Sequence, residues 1–304
     1  MRKFVALFLA SAFPLVPSYH SSSSTEGFIA DRAHRRSSHE SSLLETGRAS
    51  KLKPANAAAA NLKVVSYNIR WRSGDELRKL IAFLKDDPEI GGAEILGLQE
   101  VDRRKKRSGH KNNAALIAEE LGMHYAWAAP PVAESEAEEE TGVEVLSAYP
   151  LSDVRRLVLP HAGPGGRRRV ALGATVRIGP TNIRVYSVHA ETRLPVNCKL
   201  DQTKAVLADL ACYPSDMPAV VLGDFNTWEP EAVSKTFEVF AKANFHTPFD
   251  EQPTFFRRVL FVPVELKLDW IWLRNLSATS HGIDQTITLS DHWPLWLTIS
   301  ANKS

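Results

Sequence analysis

Cysteine is scarce. The chain has two among 304 residues, Cys198 and Cys212, which excludes a disulfide-stapled scaffold. Between them Val206, Leu207 and Leu210 face one side of a helix read over Leu200–Leu210. At about 1.5 Å rise per residue that helix holds the two sulfurs ~20 Å apart, against the ~4.4–6.8 Å that a disulfide bridges between Cα atoms. Two free thiols are expected. Charge of one sign is also lacking: 37 basic and 35 acidic residues leave a net +2. That balance gives no global argument for a nucleic-acid partner, so any basic signal has to be local. No apolar run reaches the ~20 residues of a membrane-spanning helix. What is present, 44% hydrophobic and 24% charged residues, is the composition of one large globular domain with an ordinary core.

The N-terminus reads as an address. Arg2 and Lys3 precede an apolar run from Phe4 to Val16, with small residues around Ala10-Ser11-Ala12; this is the pattern of a secretory signal peptide over residues 1–18. The expectation is export, periplasmic or secreted, with an uncleaved signal holding the chain at a membrane as the alternative. No cysteine follows the run, which argues against a lipid-anchored variant. Residues 19–61, rich in Ser and Ala and poor in large apolar side chains, read as a disordered linker. The folded domain is expected over 62–304.

Within it, buried strands repeatedly end on polar residues. Leu62–Ile69 is β-branched and carries Asn68 near its end. Leu77, Leu80, Ile81 and Leu84 then recur at helical spacing until Pro88 and Gly91-Gly92. Glu94–Gln99 is a second strand, running into Glu100. The basic stretch Arg103–Arg107 leaves the same strand end, which makes Arg103 and Arg107 candidates for phosphate contact. A helix through Ala114–Leu121, strands at His124–Ala129 and Val143–Ser147, and an exposed acidic loop at Ala133–Glu140 follow. The Arg167–Arg169 triplet leads into a hairpin, Val170–Ile178 and Ile183–Val188, that ends on His189.

Val220–Trp228, Val-Val-Leu-Gly-Asp-Phe-Asn-Thr-Trp, organises the rest. Apolar residues running into Gly-Asp-x-Asn describe a buried strand that delivers Asp224 and Asn226 to a sheet end, where α/β proteins place their chemistry. Alternation turns Phe225 into the core and leaves the carboxylate and the amide facing one pocket. A carboxylate can orient or deprotonate a water, and an amide can donate to a phosphate oxygen without adding negative charge; together they suit phosphate-ester hydrolysis. A helix over Glu231–Phe240 comes next. Leu266–Leu273 is a strand with Asp269 buried among aromatics, and a buried aspartate needs a partner. Ser290-Asp291-His292 before the last strand, Leu295–Ile299, offers one.

In order, the chain reads Ser-Tyr-Asn at 66–68, Leu-Gln-Glu at 98–100, His189, Gly-Asp-Phe-Asn at 223–226, Leu-Asp-Trp-Ile at 268–271 and Ser-Asp-His at 290–292. That series, across Leu62 to Ala301, resembles the endonuclease/exonuclease/phosphatase family of metal-dependent phosphoesterases. The resemblance implies an α/β four-layer sandwich, two mixed β-sheets flanked by helices, with the site at one end. It implies that Glu100 is the main Mg2+ ligand, with Asn68 and Asp291 beside it and Mn2+ as an alternative ion. Asp224 would orient or deprotonate the water and Asn226 hold it or the phosphate. His292 paired with Asp269 would complete the acid/base apparatus, and His189 would donate to a non-bridging oxygen.

Departures are visible. Arg70 stands two residues after Asn68, where many relatives carry an acidic metal ligand, and Gly142–Ala148 loses the Asn and Arg of the family strand. Arg169, or the Arg103–Arg107 loop, could substitute for them in substrate contact, and Glu140 or Glu144 is expected to partner His189. The substrate is expected to be a phosphoester: nucleic acid, or a phospholipid or inositol-phosphate head group, the latter favoured if Trp228, Trp270 or Trp293 line the mouth, with a phosphatase of small phosphoesters as the third reading. A monomer with no stable protein partner is expected. A non-catalytic binding domain on the same fold is the rival from another class.

Overall fold

A computed structural model describes residues 43–55, 61–131 and 140–300. Two mixed sheets face each other. The seven-stranded sheet runs β1 (Leu44–Arg48), β4 (His124–Ala128), β5 (Glu140–Ser147), β3 (Ile95–Arg103), β2 (Asn61–Asn68), β14 (Leu295–Ser300), β13 (Ala278–Ile283). The five-stranded sheet runs β12 (Asp269–Arg274), β9 (Ala219–Asp224), β8 (Thr181–His189), β7 (Val170–Ile178), β6 (Leu151–Val158). A separate two-stranded hairpin joins β10 (Phe255–Val259) to β11 (Val262–Leu266). Val64, Val145, Leu172, Val185 and Leu222 belong to one core between the large sheets. The sheets approach so closely that a Cβ added at Gly97 would lie 1.9 Å from a Leu222 methyl carbon.

Helices cover both outer faces. Leu77, Leu80, Ile81 and Leu84 of α1 (Gly74–Asp86), with Ala114, Ile117 and Ala118 of α2 (Asn113–Leu121), are buried with the large sheet. Gly122, at φ +66, ends α2. On the other side Val206 and Leu210 of α3 (Val196–Leu210) and Val233 and Phe240 of α4 (Pro230–Lys242) pack against Phe225, Trp270 and Trp272. The four layers are those expected from the sequence. Cys198 lies within α3 and Cys212 beyond it, and both are free.

Three sequence readings change. Residues 43–55 lie within the segment read as linker, yet β1 pairs with β4, Leu43 is buried and Glu45 accepts bonds from Arg103, Asn112 and Tyr125. The ordering cost of this short segment is offset by chain far away in sequence, which local composition cannot register. Strand β6, the β10–β11 hairpin and β13 were not anticipated. Trp270 is fully buried and Trp228 and Trp293 are half-buried, so Trp270 lines no mouth. The signal-peptide residues 1–18 and Ala133–Glu139 lie outside the described residues.

Candidate active site

Two parallel pairs create the site. β2 and β3 run parallel, as do β8 and β9, and α1 and α3 make the crossovers that parallel neighbours require. Both pairs deliver polar residues at their C-terminal ends. His189 is in register with Asp224, and Asp224 with Asp269 of antiparallel β12, so three neighbouring strands set three functional groups side by side. Gly223 permits this close packing: at φ +134, a Cβ there would meet the Val188 carbonyl oxygen at 2.1 Å. Glu100 arrives by a different device. The β3–β5 register slips between Gln99 and Val101, and Glu100, at φ 59, is the bulged residue, a common way to re-aim one side chain at a rim.

Asp224 is buried and well held. Asn68 Nδ2 donates to its Oδ2 at 3.1 Å and the Asn226 amide N–H to its Oδ1 at 2.9 Å. His189 Nε2 and His292 Nε2 approach Oδ2 at 3.7 and 3.9 Å. Burial raises the carboxyl to about 7, against the opposing pull of His292, which suits a group that accepts a proton near neutral pH. Burial draws His292 the other way, but the carboxylates around it, Asp269 first, lift it to about 10. Its Nδ1 lies 2.8 Å from Asp269 Oδ2, so the buried aspartate has its partner. His189 is held well below its ordinary value by burial and by Arg169 and His292. One imidazolium and one neutral imidazole thus flank one carboxylate.

Ser290 fixes the His292 turn, donating to the Asn68 carbonyl at 2.8 Å and accepting the His292 N–H at 3.2 Å. Thr254, which the sequence did not single out, is the other brace. Its hydroxyl donates to Asp269 Oδ2 at 2.8 Å and accepts the Leu268 and Asp269 N–H groups. No local spacing signals Thr254, because it precedes a strand of the separate hairpin.

Asn226, at φ 53, spends its amide on the protein. Nδ2 donates to Ala190 O at 2.9 Å and Oδ1 accepts from Thr192 at 3.0 Å. Lys199 holds the Asn226 carbonyl from below at 2.9 Å. Phe225 turns into the core as expected.

The cation candidates separate by chemistry. Asp224, Asp269 and His292 offer atoms within 4.8 Å of one another, but an imidazolium bonded to Asp269 repels a metal ion and presents no free lone pair. Glu100 fits better: Oε2 is buried with no hydrogen-bond partner, burial raises its carboxyl above the usual range, and Oε1 is 3.8 Å from His189 Nε2. A cation there would satisfy the orphaned oxygen, and hard oxygen donors suit magnesium. Asn68 favours the charged form of the Glu100 carboxyl, and Asp291 opposes it. The Asp291 carboxylate is 3.3 Å from Arg70 Nη1, so an arginine occupies the side where an acidic ligand is missing.

Of the basic candidates only Arg169 reaches the centre, with Nη1 3.4 Å from His189 Nδ1 and Nε donating to Glu191. Arg103 is interior, tied to Glu45 and Glu140 and stacked 4.1 Å over Trp127; it is a structural ion pair, not a substrate contact. Arg107 is clamped by both oxygens of Asp102 and covers the Trp71 ring at 4.4 Å, with Arg70 over the same ring at 5.6 Å. Neither glutamate expected beside His189 is its partner. Glu140 bonds Arg103, and Glu144 is wholly buried, its carboxyl raised far above the usual range by burial and by Glu45.

The model of the Endonuclease/Exonuclease/phosphatase family matches residues 65–292. No curated protein matches the chain. Among solved structures, an endonuclease/exonuclease/phosphatase from Beutenbergia cavernae is 18% identical over 80% of this chain and 72% of its own, with a TM-score of 0.61. TDP2 from D. rerio, complexed with single strand DNA product, is 14% identical over 80% of this chain and 100% of its own, at 0.63. The human Nocturnin catalytic domain with bound sulfate anion is 18% identical over 84% and 96%, at 0.60. At these identities the likeness is one of fold.

Proposed function

Because this chain belongs to the endonuclease/exonuclease/phosphatase family, whose members are hydrolases acting on phosphoester bonds, we propose that it is a divalent-metal-dependent phosphodiesterase of nuclease type. The observation that carries the reading is the convergence of Asp224, His189 and the Asp269-held His292 beside the orphaned oxygen of Glu100. A non-catalytic binder has no use for a carboxylate poised near 7 between a neutral and a charged histidine.

In the proposed reaction Asp224 takes a proton from water as its oxygen attacks phosphorus and the bond to the leaving oxygen breaks. His292, charged and oriented by Asp269, donates a proton to that leaving oxygen. Neutral His189 donates its N–H to a non-bridging oxygen as charge builds there. Asn226 keeps the turn that aims Asp224. Glu100, with Asn68 and Asp291, would hold magnesium, or manganese in its place, which when bound supplies Lewis-acid charge at the phosphoryl group. Arg169 and Arg70 contribute fixed positive charge.

Nucleic acid is the proposed substrate class. It is supported by the cationic rim of Arg70 and Arg107 on Trp71, a stacking surface of the kind single strands use, and by the DNA product bound to the related TDP2 fold. We also propose export, which N-terminal sequencing of the mature protein tests. The activity is tested on plasmid DNA, RNA, sphingomyelin, phosphoinositides and bis-p-nitrophenyl phosphate, each with magnesium and with chelator. Chelator-sensitive DNA or RNA cleavage, reduced at least ~100-fold in Asp224→Ala and His292→Ala, is expected. Full turnover in both folded variants refutes the mechanism.

A further inference from the structure

The β10–β11 hairpin belongs to neither large sheet and ends in an apolar tip. Leu260, Phe261 and Val262 are 74%, 97% and 60% exposed. The turn itself is strained: Val259 faces Val262, leaving Leu260 and Phe261 as the two loop residues, at φ 46 and 69. Two positive φ values define a turn that Asn-Gly forms easily. Bulky side chains are disfavoured there, so the backbone carries a cost, and the three tip residues are the most exposed large hydrophobic side chains among the described residues. Arg257 and Arg258 are exposed immediately behind the tip.

From this arrangement we infer that the hairpin is a docking element for an anionic phospholipid surface. Arg258 lies two residues behind Leu260, about 7 Å at the rise of a strand. Interfacial elements bury their apolar part ~5–10 Å into the boundary between head groups and acyl chains. With the tip at that depth the two arginines stand at the level of the lipid phosphates, where basic side chains are attracted to anionic leaflets. A protein partner fits the shape less well. A stable interface takes ~800 Å2 from each side, and three side chains on a convex tip supply only part of that, whereas a bilayer accepts an apolar tip without shape complementarity. Among the described residues no helix is long and apolar enough to cross a membrane.

The hairpin is also tied to the site. Phe255 packs edge-on against the His292 ring at 5.1 Å and Phe256 stacks on Trp293 at 6.0 Å, while the Phe256 N–H donates to Asp291 O and the Trp293 N–H to Thr254 O. With β10 running from Phe255 to Val259 before the turn, docking holds Phe255, the residue that touches His292, within about 20 Å of the tip. The inference concerns where the protein sits and stands apart from the hydrolytic reading.

Sedimentation of the full chain with vesicles of phosphatidylcholine, with and without phosphatidylglycerol, tests it. Phe261→Asp and the double variant Arg257→Glu, Arg258→Glu are compared with the wild type. The apolar run at residues 4–16 is common to all of them, so differences read the hairpin alone. Salt-sensitive binding to the mixed vesicles is expected, weakened at least tenfold in each variant, and Phe261→Trp is expected to shift its emission to the blue on vesicles. Thermal melts show that the variants fold, and hydrolysis of bis-p-nitrophenyl phosphate is expected to be unchanged. Equal vesicle binding by wild type and Phe261→Asp overturns the inference. So does an unshifted tryptophan, or a wild-type dimer abolished by Phe261→Asp without vesicle binding.

Discussion

Replacing Asp269 by asparagine tests whether His292 acts as a cation. Asp269 is 2% exposed and accepts at one oxygen from both His292 Nδ1 and Thr254 Oγ1, each at 2.8 Å. An asparagine oxygen can keep both contacts, so shape survives while the charge goes. The carboxylates lift His292 from an ordinary 6.5 to about 10, a difference of about 5 kcal/mol, and they do so against burial. Without Asp269 burial acts with less opposition, and the imidazole is expected to fall from fully protonated at pH 7 to largely neutral. If His292 delivers a proton to the leaving oxygen, the rate falls by ~100- to 10,000-fold. The basic limb of the pH–rate profile moves from near 10 to below the ordinary histidine range. The assay is turnover of bis-p-nitrophenyl phosphate against pH with magnesium in excess, beside nitrogen NMR of the His292 ring, which reads its charge without any reaction. Circular dichroism confirms the fold. A ring that stays protonated well above neutrality in the variant, or a rate within about threefold of wild type, refutes the reasoning.

Lys267 gives a stability prediction away from the metal ligands. It is buried, its Nζ has no hydrogen-bond partner and lies 4.2 Å over Trp270, and burial lowers its ammonium from 10.5 to about 8. Between these values the unfolded chain binds a proton that the folded chain has released. Stability therefore rises with pH across that window, and below it the full penalty, about 3 kcal/mol, applies. Lys267→Met is expected to raise the neutral-pH stability by about 1–2 kcal/mol, the lost cation–π contact offsetting part of the gain, and to flatten that rise; parallel denaturation curves for both proteins across the window would show the argument wrong. A chain trimmed to begin at Leu62 loses β1 and leaves Arg103 without Glu45. It is expected to be less stable than one beginning at Ser42 by at least about 3 kcal/mol, read from paired urea melts. Glu100→Gln is expected to abolish magnesium heat in calorimetry while leaving the melting temperature of the metal-free protein unchanged or higher, because the buried charge is gone.

Local sequence carried much of the architecture. Alternation and apolar runs located β2, β7, β8, β9 and β14, and helical spacing located α1, α2 and α4, because those patterns follow from burying one face of an element. The strand-end positions of Asn68, His189 and Asp224 were legible for the same reason: parallel pairs end together, and polar residues that close apolar runs have few other places to be. Phe225, sent inward between two polar neighbours, follows from the same alternation. What tertiary structure decided was pairing across distance. Arg103 and Arg107 sit in one basic run and look alike in sequence, yet Glu45 and Glu140 draw Arg103 inside while Asp102 pins Arg107 at the rim. Glu100 owes its aim to a bulge, Thr254 its role to a strand of the separate hairpin, and β1 its order to β4. None of these contacts leaves a local trace, because each one's free energy depends on a partner that the chain meets only when folded.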